Sequence, residues 1–265
     1  MKNEIAKLMA LVKEKRPLVH QITNNVTVND CANITLCAGG SPVMTDSPGD
    51  VEEMVNLASA LVLNIGTLTD SIVEAMIIAG KTANKLGKPV ILDPVGAGAT
   101  KYRTDTVWKL IEQVKISIIK GNAGEIGALA GVGGKVRGVD SDGIDGDPVE
   151  ACVSLSKRTG AVVVMTGAVD IITDGERKVA VNNGHEMMST VSGTGCMTAA
   201  VIGCYVSCTD DMVLGSAAAL AVFNIAGSKA AKRSKGPGSF IMNLKDELSS
   251  LTENEVVPLA NIRLL

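Results

Sequence analysis

The chain has 265 residues, 46% of them hydrophobic but only 2% aromatic, and a net charge of −3. An aliphatic core of that size is expected in one domain spanning residues 1–265, and the slightly acidic balance, with no long lysine- or arginine-rich block, excludes nucleic acid as the main partner. The six cysteines and two histidines match no zinc spacing or CxxC pair, and no uninterrupted apolar run reaches membrane-spanning length, so the expected setting is a reducing cytoplasm with no membrane contact. Residues 4–15 have helical apolar spacing that stops at Pro17. Residues 18–23 read as a strand, and 28–38 as a helix ended by Gly39-Gly40. A short strand at 41–45 follows, then an acid-led helix at 48–58, a buried strand at 60–65 and a helix at 70–86. The strand 89–94 runs into a polar loop at 96–100. A helix at 104–114, a strand at 116–119 and a helix at 123–130 come next. Residues 131–147, rich in glycine and aspartate, read as a mobile loop or hairpin. A helix at 148–159, a strand at 161–166 and a hairpin at 169–181 turning at Asp174-Gly175 follow. Helices at 195–207, 211–233 and 238–250 complete the pattern.

Such alternation predicts an α/β fold with a mostly parallel central sheet and helices on both faces. Ligands of such sheets sit beyond the carboxyl ends of the strands. The most telling segment is Thr190-Val191-Ser192-Gly193-Thr194-Gly195-Cys196-Met197, which opens an apolar, alanine-rich helix. The first turn of a helix has N–H groups without intrahelical partners and a partial positive charge. Glycines there let an anion approach the backbone. The same dipole is expected to lower the pKa of the Cys196 thiol. An ordinary glycine-rich strand-to-helix turn gives the same pattern.

Other candidates also end strands. Asp93 closes the strand 89–94. Lys120 ends the next strand, placed to meet a polyphosphate. Asn122 and Glu125 follow at N-x-x-E spacing, which is either a capping box or a carboxylate presented to a magnesium ion through water. Thr166, before Gly167, is placed to hydrogen-bond a phosphate or ribose. Each alone is compatible with a structural role, and their joint occurrence at successive strand ends points to phosphate chemistry. The segment Gly131 to Val136 resembles the end of a P-loop, but Leu129 and Val136 stand where glycine and Ser/Thr are required. There is no G-x-S-x-G elbow. Few aromatic residues are available for stacking against a flat ligand.

Several segments together resemble the hydroxyethylthiazole kinase family of the ribokinase-like superfamily. They are Gln21-Ile22-Thr23-Asn24-Asn25-Val26-Thr27, Ser41-Pro42-Val43-Met44, Leu92-Asp93-Pro94-Val95-Gly96, Lys120-Gly121-Asn122-Ala123-Gly124-Glu125, Val164-Met165-Thr166-Gly167 and Ser192-Gly193-Thr194-Gly195-Cys196. The likeness covers nearly the whole chain and implies a ribokinase-like three-layer fold. It implies that Met44 and Gly193 contact a thiazole alcohol, with Asn25 lining the same pocket, and that Lys120 and Thr166 contact ATP. With so few aromatic residues to stack on it, the adenine of that ATP is expected in an aliphatic pocket around Ala217 to Ala221. That family more often has arginine at position 120, and lysine keeps the charge without the bidentate fork. The resemblance also implies that Asp93 and Glu125 organise Mg²⁺, that Gly193, Thr194 and Gly195 form an anion hole ending at Cys196, and that the assembly is a homotrimer with sites between subunits. Cys196 is either a general base or a packing contact for the hydroxyethyl group. Related activities compatible with the shared motifs are a hydroxymethylpyrimidine or pyridoxal kinase and an ATP/ADP-dependent NAD(P)HX dehydratase.

Overall fold

A computed structural model describes residues 1–132, 136–137, 140–141 and 146–265. The elements run α1 (Lys2–Lys15), β1 (Leu18–Ile22), α2 (Val28–Cys37), β2 (Ser41–Val43), α3 (Val51–Leu57), β3 (Ala60–Asn64), α4 (Asp70–Lys85) and β4 (Val90–Asp93). Then come α5 (Lys101–Gln113), β5 (Ile118–Asn122), α6 (Ala123–Ala130), β6 (Val136–Arg137), β7 (Asp140–Ser141), α7 (Pro148–Thr159) and β8 (Val162–Thr166). The chain closes with β9 (Asp170–Thr173), β10 (Lys178–Val181), a 3₁₀ turn (Glu186–Thr190), α8 (Thr194–Val206), α9 (Met212–Arg233), α10 (Pro237–Ser250), α11 (Glu253–Leu259) and β11 (Ile262–Leu264).

Among the described residues nine strands form one sheet in the order β11-β10-β9-β8-β5-β4-β3-β1-β2. Pairing is parallel from β2 through β8 and antiparallel from β8 through β11. The central strands are buried along their whole length, as a parallel sheet covered on both faces requires. Alternate residues then serve two cores. Val19, Val62, Ile91, Ile118 and Val164 pack with α1, α2, α8, α9 and α10. Ile22, Leu61, Leu63, Leu92, Ile119 and Val163 pack with residues of α3 to α7.

Local chemistry sets the helix starts. Thr69 and Thr100 cap α4 and α5 by accepting a backbone N–H of the first turn, so α5 begins at Lys101, earlier than its apolar spacing indicates. Asp147 caps α7 and Pro148 occupies its first position. The helix expected from residue 48 starts only at Val51, after a turn. The strand expected at 116–119 is β5, shifted to Ile118–Asn122. The 169–181 hairpin is present as β9 and β10. Within the 131–147 segment β6 and β7 pair antiparallel, while residues 133–135, 138–139 and 142–145, which include half of the P-loop-like stretch, lie outside the described residues.

Among the described residues one helix, α9, is long and apolar enough to span a membrane, yet 78% of its most apolar window is buried inside the fold, which makes it a core helix. Ala217 to Ala221 lie in that buried stretch with almost no exposure, so they build the core and do not line an open adenine pocket. Low aromatic content removes stacking, but it does not move the core of a helix to a ligand.

Candidate active site

The carboxyl ends of β1, β3, β4 and β5 meet the N-terminus of α8, a helix that packs against all four of these strands. Gly193 caps that helix with φ +90°, and the first intrahelical bond is Met197 N–H to Gly193 C=O at 2.8 Å. The N–H groups of Thr194, Gly195 and Cys196 therefore have no partner within the helix and point out of its mouth. A Cβ on Gly193 would lie 2.6 Å from Thr27 Cγ2. Gly193→Ala is accordingly expected to cost about 1–3 kcal/mol in urea unfolding, through the left-handed backbone and the clash together. An alanine variant as stable as the parent would contradict this account of the turn.

Lys120, from β5, is buried and reaches the same mouth: a Cβ on Gly195 would lie 3.1 Å from its Nζ. Its ammonium is 3.5 Å from Asp93 Oδ1, which makes no hydrogen bond among the described residues. Burial opposes the lysine charge, but the Asp93 and Glu125 carboxylates outweigh it and hold the ammonium above the usual lysine range. Burial pushes the Asp93 carboxyl up to about 6, with Lys120 pulling it back.

Glu125 closes a capping box on α6. Asn122 Oδ1 accepts from Glu125 N–H at 2.9 Å, and Glu125 Oε2 accepts from Asn122 N–H at 2.8 Å. The other oxygen, Oε1, accepts from Gly96 N–H at 2.8 Å, in the loop after β4. The structural reading of N-x-x-E is therefore correct, and the carboxylate still faces the Lys120–Asp93 pair closely enough to raise both pKa values.

Cys196 is held by two asparagines that sequence reasoning did not single out. Asn24 and Asn64 point their side-chain N–H groups at its Sγ, at 3.3 and 3.2 Å. Asn64 also donates to Asp93 Oδ2 at 2.8 Å. The orientations are fixed, because Asn24 Oδ1 accepts from the N–H groups of Val26 and Thr27 and Asn64 Oδ1 accepts from Gly66 N–H. Asn64 ends β3, so the strand-end rule applied one strand earlier finds it. The expected lowering of the Cys196 pKa is not what the site produces. Burial first, then the Asp93 charge, push the thiol up, and Lys120 offsets only part of this. A partial dipole charge at the helix end is set against desolvation and a full negative charge nearby.

The remaining candidates border this cluster. Thr166, half-buried at the end of β8, donates weakly to Gly121 C=O at 3.4 Å. The loop after it is pinned by buried Asp170, which accepts from Gly167 N–H at 3.0 Å and from Asn224 at 2.6 Å. Met44 is half-buried just after β2 and packs against the core that includes α2 and α8. Asn25 is exposed; its backbone N–H donates to Thr67 Oγ1 at 3.0 Å, and it is Asn24 that turns inward.

This arrangement offers an anion a row of backbone donors and a buried ammonium, beside the Asp93 carboxylate, whose Oδ1 pairs with that ammonium without a hydrogen bond. The sequence pattern of the hydroxyethylthiazole kinase family matches residues 9–254. The hydroxyethylthiazole kinase of Methanocella arvoryzae is 55% identical over 97% of this chain and 96% of its own length. The solved hydroxyethylthiazole kinase of Pyrococcus horikoshii is 40% identical, with a TM-score of 0.91 over 99% of each chain. A pyridoxal kinase of Bacillus subtilis, solved as an ADP complex, is 16% identical with a TM-score of 0.58, covering 80% of this chain and 92% of that one, and shows the fold alone. With the parallel part of the sheet and every motif inside the matched region, the chain belongs to the hydroxyethylthiazole kinase family, a group of kinases on the ribokinase-like three-layer fold.

Proposed function

We propose that this chain, acting as a single domain over residues 1–265, transfers the γ-phosphoryl group of ATP to the primary alcohol of 4-methyl-5-(2-hydroxyethyl)thiazole. What supports the reading is the meeting of Lys120, Asp93, Glu125 and Cys196 with the free N–H groups of α8 in a chain of this family. Phosphoryl transfer passes through a loose transition state, so positioning and charge neutralisation carry most of the catalysis. In this reading the N–H groups of Gly193, Thr194 and Gly195 receive the transferred phosphoryl oxygens, while Lys120 and Thr166 hold the polyphosphate. Met44, Gly193 and Asn25 line the alcohol's side.

The orphaned Oδ1 of Asp93 and the inward carboxylate of Glu125 fit a hydrated magnesium ion, which keeps most of its waters and needs few protein ligands. Bound there, Mg²⁺ would neutralise phosphate charge. Cys196, with its pKa raised, stays a neutral thiol near pH 7 and packs on the hydroxyethyl arm. Accordingly kcat/KM is expected to stay flat from about pH 7 to 9, whereas an essential thiolate base would give a rise approaching tenfold per pH unit. A pH–rate profile decides between them.

The homotrimer and the cytoplasmic setting belong to the same proposal. Val26, two residues before α2, and Leu36, near its end, are exposed beside a helix that packs on the edge strand β2, the kind of surface a second copy covers. Light scattering on the purified protein tests this. The activity itself is tested by incubating the protein with ATP, Mg²⁺ and the thiazole alcohol and weighing the product. An unmodified alcohol after prolonged incubation, or phosphorylation of pyridoxal in its place, would overturn the assignment.

A further inference from the structure

We infer, resting on the phosphoryl-transfer reading above, that Arg103 is a positioning residue for this site, gripping from behind the two peptide units whose N–H groups hold Asn64 and Glu125. Arg103 lies in the first turn of α5, where a cation meets the unfavourable end of the helix dipole. Three carbonyl groups engage it there. Its Nη1 donates to Ile65 C=O and to Val95 C=O, both at 2.9 Å, and its Nη2 donates to Gly66 C=O at 2.9 Å. The first two carbonyls matter most. The peptide between Ile65 and Gly66 presents its other end, Gly66 N–H, to Asn64 Oδ1 at 3.0 Å. The peptide between Val95 and Gly96 presents Gly96 N–H to Glu125 Oε1 at 2.8 Å.

One guanidinium nitrogen therefore fixes two peptide planes at once, on the loops after β3 and β4. Each plane passes the orientation on to a different side chain of the cluster. Asn64 in turn holds Asp93 and Cys196. A carbonyl that accepts from a cation also polarises its peptide, which strengthens the opposite N–H as a donor. Gly96 takes φ +75° against the Arg103 side chain, where a Cβ would come 3.1 Å from Cδ. The loop thus closes directly over the guanidinium. A lysine has no planar fork to bridge the loops this way.

The test compares Arg103→Ala and Arg103→Lys with the parent and with Arg177→Ala, an exposed surface ion-pair residue at the β9–β10 hairpin. Steady-state kinetics with ATP and the thiazole alcohol are paired with amide hydrogen exchange by NMR on the metal-free proteins. Arg103→Ala is expected to lower kcat about 10- to 100-fold with KM changed by less than about threefold, and Arg103→Lys to restore only a minor part. Gly66 and Gly96 amides should exchange at least about tenfold faster in both variants while the central strands keep their protection. Arg177→Ala should match the parent. Parental kcat in Arg103→Ala, full restoration by lysine, or a uniform rise in exchange across the sheet would each overturn the inference. If the parent itself fails to phosphorylate the alcohol, the functional reading falls, and the exchange at Gly66 and Gly96 still decides whether Arg103 orders these loops.

Discussion

Asp93→Asn is expected to lower kcat by about a thousandfold while changing KM for the alcohol by less than about threefold. The substitution keeps shape and can still accept from Asn64, which now donates to Asp93 Oδ2 at 2.8 Å. What it removes is the charge at the one carboxylate oxygen without a hydrogen bond, beside Lys120 at 3.5 Å. That charge is where the site pairs with a cation in the resting protein and where a divalent ion would be held during turnover. Loss of charge with retained shape is therefore a loss in the transition state, not in substrate binding. Steady-state kinetics settle it: a variant keeping more than about a tenth of parental kcat would remove Asp93 from the centre of the mechanism.

The second large effect is on stability. Lys120→Met is expected to cost about 3 kcal/mol near pH 7.5, because it strands the Asp93 carboxylate in a buried site without its cation. The cost should shrink at acid pH. Asp93 already has a folded-state pKa raised to about 6 by burial, against about 3.9 for an unfolded aspartate. A raised folded pKa means the native state binds the proton more tightly, so this group's contribution is fully present below about pH 4 and is lost as pH rises through the folded value. Without Lys120 that value climbs further, and by pH 5.5 the variant carries a neutral Asp93. The difference between variant and parent should therefore be smaller at pH 5.5 than at 7.5. Urea unfolding of metal-free protein at both values is the measurement, and an equal difference would show that the ion pair is not what lysine supplies.

Much of this architecture was readable in the chain. The bounds of α6 and α7 follow from their own first turns, the Asn122–Glu125 box and the Asp147-Pro148 start. The alternation of short β-branched runs with helical spacing gave the parallel sheet, and Asp93, Lys120 and the glycines before α8 follow from the rule that ligands gather at strand tips. What escaped had physical reasons. The segments α11 and β11 are seven and three residues long, and α11 contains Pro258, so neither offers a periodic signal. Asn24 and Asn64 matter through amide groups aimed by backbone donors 2 or 3 residues away, which no spacing reveals. Arg103 acts through carbonyl oxygens, eight residues away at Val95 and nearly forty at Ile65 and Gly66, and no side-chain spacing marks them. The thiol of Cys196 lies at the helix mouth as expected, but its acidity is set first by burial and then by Asp93, more than a hundred residues earlier in the chain.

The strand order has a consequence for how this protein comes into being. Asn24 follows β1, Asn64 and Asp93 end β3 and β4, Lys120 lies within β5 and Cys196 opens α8, and β1 sits between β2 and β3. Parallel neighbours are joined only after long loops have closed, which makes such pairings slow to form. No nascent fragment ending before α8 contains a complete set of these groups. A ribosome must therefore release most of the polypeptide before the site can assemble.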